Sequence, residues 1–123
     1  MKFQEKRILV VDDDPDMREV ITMILDVEGY QIAELDNGNE VIATIAAFHP
    51  DLVLLDVMLG DVDGRDICKA IKNSPAMSHI PVIIISATHG LHTKSEKNCG
   101  AEHYISKPFE VEHLVEKVRS YLH

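Results

Sequence analysis

The sequence has few cysteine and aromatic residues and no long hydrophobic segment. It contains no tryptophan and only two cysteines, Cys68 and Cys99, which lack CxxC spacing and are expected to be reduced. No apolar run approaches the roughly 18 residues of a membrane span, and the polar N-terminal residues give no secretory signal. We therefore expect a cytoplasmic chain that does not enter a membrane.

Positive charge is also scarce. Lys and Arg number 12 against 21 Asp and Glu, and the formal net charge of −9 argues against direct binding of a nucleic-acid backbone. Hydrophobic residues make up 46% of the sequence, as in a globular protein. A length of 123 residues is enough for one domain with a core but too short for two ordinary domains. We predict a single domain over residues 1–123.

The stretch Asp51–Asp56 is the most informative, because its apolar run stops abruptly at a carboxylate. Such a run, bounded by turn residues, is typical of a buried parallel strand. Arg7–Asp12 is a second apolar run that ends at a carboxylate, and it predicts another strand. In Gln31–Asp36 apolar and polar residues alternate, as expected of a strand at the edge of a sheet. Two further strands are predicted at Pro81–Ser86 and His103–Ser106.

Apolar residues at helical spacing separate these strands. Asp14-Pro15 predicts a capped helix start and Gly29 its stop, and Met17, Val20, Ile21, Ile24 and Leu25 follow at helical spacing. Further helices are predicted at Val41–Phe48, Gly64–Asn73 and Glu110–Leu122. The segment Ala87–Asn98 has almost no apolar face, so we predict a short, mobile helix there. Val57–Gly64 is predicted to be a loop.

The alternation of strands and helices predicts an α/β fold. We expect a doubly wound, five-stranded parallel sheet of flavodoxin-like strand order 2-1-3-4-5, with helices on both faces. The strand order reverses between the first and third strands, where open α/β sheets bind ligands. Asp12, Asp13 and Asp56 would then meet at one edge, which Ser86 and Lys107 also line.

Three converging carboxylates repel one another unless a pKa rises or a hard cation binds. Oxygen ligands alone favour Mg2+, or the similar Mn2+. Asp56 is then a candidate nucleophile that forms an aspartyl phosphate, with charge neutralisation by Lys107 and a hydrogen bond from Ser86. Considered alone, Ser86 could be a turn residue and Lys107 a surface lysine. The convergence of all five residues at one edge of the sheet favours a phosphoryl-transfer site.

Four groups of residues occur in a characteristic order and spacing: Val10-Val11-Asp12-Asp13-Asp14-Pro15, Leu55-Asp56-Val57-Met58-Leu59 with Asp63-Gly64, Pro81-Val82-Ile83 with Ser86-Ala87, and Gly100-Ala101 with Tyr104 and Lys107-Pro108-Phe109. In this arrangement the sequence resembles the receiver domains of bacterial two-component response regulators, including the chemotaxis receiver. The resemblance extends from Ile8 to about Leu122.

The resemblance implies a phosphoacceptor signalling domain rather than an enzyme with a separate substrate. Asp56 would take a phosphoryl group from a sensor histidine kinase or a histidine phosphotransfer protein. The domain would catalyse only its own phosphorylation and slow autodephosphorylation. Its change of conformation would control a downstream effector protein that the sequence does not identify.

The resemblance also implies individual roles for the site residues. Asp13 would bind Mg2+ directly and Asp12 mainly through water, with Asp56 and the backbone carbonyl of Met58 completing the protein ligands. Lys107 would pair with the phosphoryl oxygens. Ser86 matches the switch hydroxyl, and Tyr104 matches the aromatic residue whose rotamer follows it. The family pattern further implies a cis peptide bond at Lys107-Pro108.

Two features depart from the family pattern. Gly60 stands where the family usually has proline and Asp61 where it often has glycine, which predicts a more mobile and more acidic loop. The polar segment Ala87–Asn98 leaves the output surface undetermined. The resemblance also implies a possible homodimer through the face formed by that segment, the strand His103–Ser106 and the helix Glu110–Leu122, and the same polar segment leaves this homodimer undetermined.

Other interpretations stay open at this point. The Asp-x-Asp of Asp12–Asp14 also occurs in haloacid-dehalogenase-like phosphatases, although Pro15 argues against that class. A flavin-binding module shares the fold, but an acidic first loop repels a cofactor phosphate. A receiver-like adaptor and a zinc site of His89, His92, Cys99 and His103 are further alternatives. A stand-alone regulator and a piece of a longer regulator or hybrid kinase fit the sequence equally.

Overall fold

The structure is a computed structural model that describes residues 5–86 and 99–122. The helix predicted at Ala87–Asn98, and with it His89 and His92, lies outside the described residues. The strands are β1 (Arg7–Val11), β2 (Gln31–Leu35), β3 (Leu52–Asp56), β4 (Met58–Leu59), β5 (Val62–Asp63), β6 (Val82–Ser86) and β7 (His103–Ser106). The helices are α1 (Pro15–Val27), α2 (Val41–Phe48), α3 (Gly64–Lys72) and α4 (Val111–Leu122).

Five strands form one parallel sheet in the order β2-β1-β3-β6-β7. Because β4 and β5 form a separate antiparallel hairpin, β6 and β7 are the fourth and fifth strands of this sheet. The observed order therefore confirms the predicted order 2-1-3-4-5. The hairpin and the first residue of α3 lie within Val57–Gly64, so the prediction of a loop there was correct only in part. Leu59 pairs with Val62, which leaves Gly60 and Asp61 as a two-residue turn.

Short-range signals end the helices where the sequence predicts. The Asp14 side chain accepts a hydrogen bond from the Asp16 amide and caps α1, and Pro15 is its first residue. Gly29, just past α1, has a φ of +97°, a left-handed value that glycine adopts without strain. His49 ends α2 in the same region with a φ of 56°, one residue before Pro50.

The core lies on both faces of the sheet. Side chains alternate along each strand, so Leu9 and Leu55 pack beneath α2 and α3, and Ile8 and Leu54 pack beneath α1 and α4. Every residue of β3 and β6 is buried, as expected of central strands covered on both faces. Among the described residues, no helix combines the length and hydrophobicity needed to cross a membrane.

The apolar residues that follow at helical spacing in α1 are not all buried. Ile21 and Leu25 are buried, but Val20 is 46% exposed and continues into an apolar surface with Met23 and Val27. Helical spacing predicts the helix and identifies its apolar residues. The apolar face of α1 is wider than its contact with the sheet, so some of these residues are exposed to solvent.

Candidate functional site

Four polar side chains gather at one edge of the sheet because parallel strands end there together. Asp12 follows β1, Asp56 and Ser86 end β3 and β6, and Lys107 follows β7. Asp12, Asp56 and Ser86 are only 2%, 6% and 4% exposed, and they are the buried polar residues in the part of the chain that the structure describes. Burial of such groups costs free energy unless partners compensate, so their contacts define what the site can do.

The Asp12 carboxylate is held by several short contacts. Its Oδ2 accepts a hydrogen bond from Lys107 Nζ at 3.0 Å, and its Oδ1 accepts one from the Asp14 amide at 2.9 Å. Arg18, on the first turns of α1, donates to the Asp12 backbone carbonyl at 2.7 Å and also pairs with Glu34. Both the backbone and the side chain of Asp12 are therefore fixed.

The Asp56 carboxylate has longer contacts. Lys107 Nζ lies 3.6 Å from its Oδ2, and the Met58 amide donates to its Oδ1 at 3.4 Å. Burial raises the pKa of Asp56 from about 3.8 to about 6; Lys107 opposes this rise and the neighbouring Asp12 adds to it. Because of this raised pKa, the carboxylate is only partly ionised below neutral pH. Because its contacts are long, its oxygen lone pairs remain available for another partner.

The chain after Asp56 turns sharply, and Gly64 makes this possible. The Gly64 amide donates to the Val57 carbonyl at 2.7 Å, and a Cβ at residue 64 would collide with the Asp56 backbone carbonyl. Gly60 has a φ of +65°, a value closed to proline. The departure from the family pattern at Gly60 therefore accompanies a backbone conformation that the usual proline cannot adopt.

Asp12, Asp13 and Asp56 form the one group of three or more potential metal ligands among residues 5–86 and 99–122. One carboxylate oxygen from each lies within 4.8 Å of the others. Three carboxylates against one lysine leave an excess of negative charge in a largely buried position, and all donors are oxygen. These residues fit a hard divalent cation. Met58, whose backbone carbonyl is the predicted fourth ligand, adjoins the site through its amide contact with Asp56, and the residue is 66% exposed.

The two predicted switch residues differ in their relation to this group. Ser86 lies on the strand next to Asp56, and its carbonyl accepts a hydrogen bond from the Lys107 amide at 2.7 Å. The Tyr104 hydroxyl instead lies 3.5 Å from the Cys99 thiol, and the residue is 37% exposed. The peptide bond Lys107-Pro108 is cis, as predicted.

Reasoning from the sequence missed Arg18. Its signal was available, because a basic residue four positions after the capping Asp14 lies one helical turn into α1 and can reach back to the preceding strand end. The zinc alternative is not supported for the part that the structure describes. Cys99 is buried in the core, its carbonyl accepts from Cys68 Sγ at 3.4 Å, and no described group of three ligands includes it or His103.

Comparison with known proteins gives a consistent result. The family model of the response regulator receiver domain matches residues 8–119. The DNA-binding response regulator MtrA of Mycolicibacterium smegmatis is 37% identical over 99% of this chain and 53% of its own length. The chain thus spans about half the length of the curated relatives it matches.

Solved structures agree with this match. The response regulator TrrA of Thermotoga maritima, in complex with Mg2+-BeF, has a TM-score of 0.86 and 32% identity, covering 95% of this chain and 99% of that chain. A CheY-like receiver domain protein of Methanospirillum hungatei has a TM-score of 0.83 and 32% identity, covering 95% and 93%. These matches outweigh the phosphatase and flavin-binding interpretations. The chain belongs to the response regulator receiver domain family of two-component signalling proteins.

Proposed function

We propose that Asp56 is the phosphoacceptor of this receiver domain and that the reaction depends on Mg2+. The observation that carries the proposal is the contrast at the edge of the sheet: Asp56 is buried but loosely held, beside a lysine that already pairs firmly with Asp12. A nucleophile needs free lone pairs, and phosphoryl transfer needs nearby positive charge more than acid-base chemistry.

In the proposed step, an Asp56 carboxylate oxygen attacks the phosphorus of a phosphohistidine. The O–P bond forms as the P–N bond breaks, and the departing imidazole keeps the electron pair and takes a proton from solvent. Lys107 balances negative charge on the carboxylate and the incoming oxygens. Asp12, Asp13, Asp56 and the Met58 carbonyl would hold Mg2+, which when bound would offset the mutual repulsion of these groups and the phosphoryl oxygens.

The phosphoryl group would change the contacts of Lys107 and Ser86. It adds roughly −1.5 to −2 charge and three strong acceptors, so Lys107 would move part of its interaction from Asp12 to the phosphoryl oxygens. The Ser86 hydroxyl, on the neighbouring strand end, would donate to them. We expect Ser86→Ala to retain phosphorylation but to weaken the conformational response, including any change at Tyr104.

The proposed partners follow from the family and from the charge of the chain. A sensor histidine kinase or histidine phosphotransfer protein would supply the phosphoryl group. The relative MtrA is named a DNA-binding response regulator, but the net charge of −9 here argues that this domain acts on another protein or domain. The homodimer predicted from the resemblance remains a prediction, because one of its three elements lies outside the described residues.

Labelling with acetyl phosphate tests the proposal. We expect wild-type protein with Mg2+ to gain one phosphoryl group by intact mass, and to gain none with EDTA. Asp56→Asn should gain none under either condition. Asp51→Asn is the matched control, because it changes a carboxylate just before the start of β3 whose side-chain hydrogen bond, within the part of the chain that the structure describes, comes from the Arg7 amide; it should be labelled like wild type. Equal labelling of Asp56→Asn contradicts the proposal.

A further inference from the structure

A second pair of potential ligands lies apart from the carboxylate group. His103 is the first residue of β7, and His113 lies in the first turn of α4. Their imidazole centroids are 6.1 Å apart, and the ring planes are inclined at 54°. His103 is half-buried, whereas His113 is exposed to solvent. Two imidazoles from different rigid elements therefore face one another at the surface.

The core fixes the backbones that carry these rings. Ile105, two residues after His103 and thus on the same face of β7, packs in one buried cluster with Leu114, the residue after His113. Ile105 and Leu114 are 2% and 0% exposed. Because both anchors are buried in a close-packed core, the separation of the two imidazoles varies only through their own side-chain torsions.

The separation is close to that of a chelating pair. Zinc–nitrogen distances of about 2.0–2.1 Å and a tetrahedral angle place two ring centroids about 5 Å apart. The observed 6.1 Å exceeds this by about 1 Å, which small rotations about the side-chain torsions can close.

The electronic state of His103 also suits a ligand. Burial, followed by the positive charges of Lys117 and His113, lowers the pKa of His103. The lowered pKa favours the neutral ring, which is the form that metal binding requires. Neither imidazole hydrogen-bonds to any part of the chain that the structure describes, so both retain a nitrogen for a cation.

We propose that His103 and His113 form a binding site for a borderline divalent cation, with Zn2+ as the representative ion and water in the remaining positions. Imidazole ligands select Zn2+, Ni2+ or Cu2+ over Mg2+, so this site and the carboxylate group would take different ions. Two protein ligands and the nearby Lys117 make the affinity modest. The site goes beyond the proposed phosphorylation and does not depend on it.

Zinc titration of the full chain tests this site, with excess Mg2+ present to compete at the carboxylates. Calorimetry should show one zinc equivalent bound by wild type. His103→Gln and His113→Gln should each weaken binding at least about tenfold. His79→Gln is the matched control, because His79 is exposed and lies in the loop between α3 and β6; it should bind as wild type does. Amide NMR spectra of each variant verify that it is folded.

Removal of the neighbouring positive charge provides a second test. Lys117→Gln leaves both ligands in place and should tighten zinc binding roughly threefold, because a screened like charge is lost. The proposal is overturned if wild type binds no zinc, if either histidine variant binds as tightly as wild type, or if Lys117→Gln gives no gain.

Discussion

The ends of β1 and β3 each carry a buried carboxylate, yet the two are held differently. At the end of β1, Asp12 accepts from Lys107 at 3.0 Å and from the Asp14 amide at 2.9 Å, and Arg18 holds its backbone. At the end of β3, the corresponding contacts of Asp56 are 3.6 and 3.4 Å. Both residues are at least nine-tenths buried, so burial alone does not distinguish them.

The difference indicates a division of roles between the two strand ends. Asp12 fixes the position of Lys107, and the same lysine reaches Asp56 without fully satisfying it. The unmet desolvation cost appears in the raised pKa of Asp56. A carboxylate in that condition gains more from a cation or a phosphoryl group than one whose hydrogen bonds are complete. Substitutions at one strand end at a time should therefore separate the two roles.

The largest contrast should come from neutralising each carboxylate in turn. Asp56→Asn should abolish phosphorylation by acetyl phosphate, because the nucleophile is lost. Asp12→Asn keeps the nucleophile, so it should still be phosphorylated at saturating Mg2+ but need about tenfold or more Mg2+. Initial rates across a Mg2+ titration measure both effects. If Asp12→Asn loses all labelling at high Mg2+, the two carboxylates do not have separate roles.

Gly64→Ala should disrupt the end of β3 without changing any charge. The added Cβ meets the Asp56 backbone carbonyl, so we expect a loss of about 3 kcal/mol in the free energy of unfolding. Gly29→Ala is the control for backbone strain without a collision: its φ of +97° is unfavourable for alanine, whereas Gly64 has no positive φ, and no atom lies within 4 Å of the added Cβ. That variant should lose only about 1 kcal/mol. Urea unfolding compares them, and equal losses would exclude the steric explanation.

The raised pKa of Asp56 predicts a dependence of stability on pH. The folded state binds the Asp56 proton more tightly than the unfolded chain does, so stability falls as pH rises from about 4 to about 6 and stays lower above that. The loss should be roughly 2–3 kcal/mol without Mg2+. Unfolding of wild type and Asp56→Asn in EDTA isolates this term, and Asp56→Asn should be the more stable at pH 7. A parallel pH dependence in both proteins contradicts the shift.

The smallest effect is expected from substitution of Arg18, which holds the backbone at the end of β1. Arg18→Met removes the hydrogen bond to the Asp12 carbonyl and should lower the free energy of unfolding by about 1–2 kcal/mol, with weaker Mg2+ binding. Glu34→Gln removes only the exposed ion pair with Arg18 and should change stability by less than about 0.5 kcal/mol. Denaturant unfolding and Mg2+ titration provide the readouts. An effect of Glu34→Gln as large as that of Arg18→Met would assign Arg18 a surface role.

Much of this arrangement was predictable because it depends on local signals. Apolar runs that stop at Asp12 and Asp56 predicted two strand ends, and parallel strands necessarily bring those ends to one edge. The hairpin of β4 and β5 was not predicted, since strands of two residues leave no periodicity to detect. The exposure of Val20 was not predicted either, because it depends on how much of α1 the sheet covers.

The relative strength of the contacts could not be predicted from sequence. Nothing in the order of residues indicates that Lys107 lies closer to Asp12 than to Asp56, because that distance depends on how β1, β3 and β7 are offset in the sheet. The pairing of His103 with His113 likewise depends on the packing of α4 against an edge strand, so a search for closely spaced ligands along the sequence instead grouped His103 with Cys99.

The most direct measurement for the central claim is the identity of the phosphorylated side chain. Wild-type protein labelled with acetyl phosphate and Mg2+ can be reduced with borohydride, which converts an aspartyl phosphate to homoserine, and then digested for peptide mass spectrometry. We expect homoserine at residue 56 and unchanged aspartate at residues 12, 13 and 51. Homoserine at any of those three positions, or an unmodified residue 56, would contradict it.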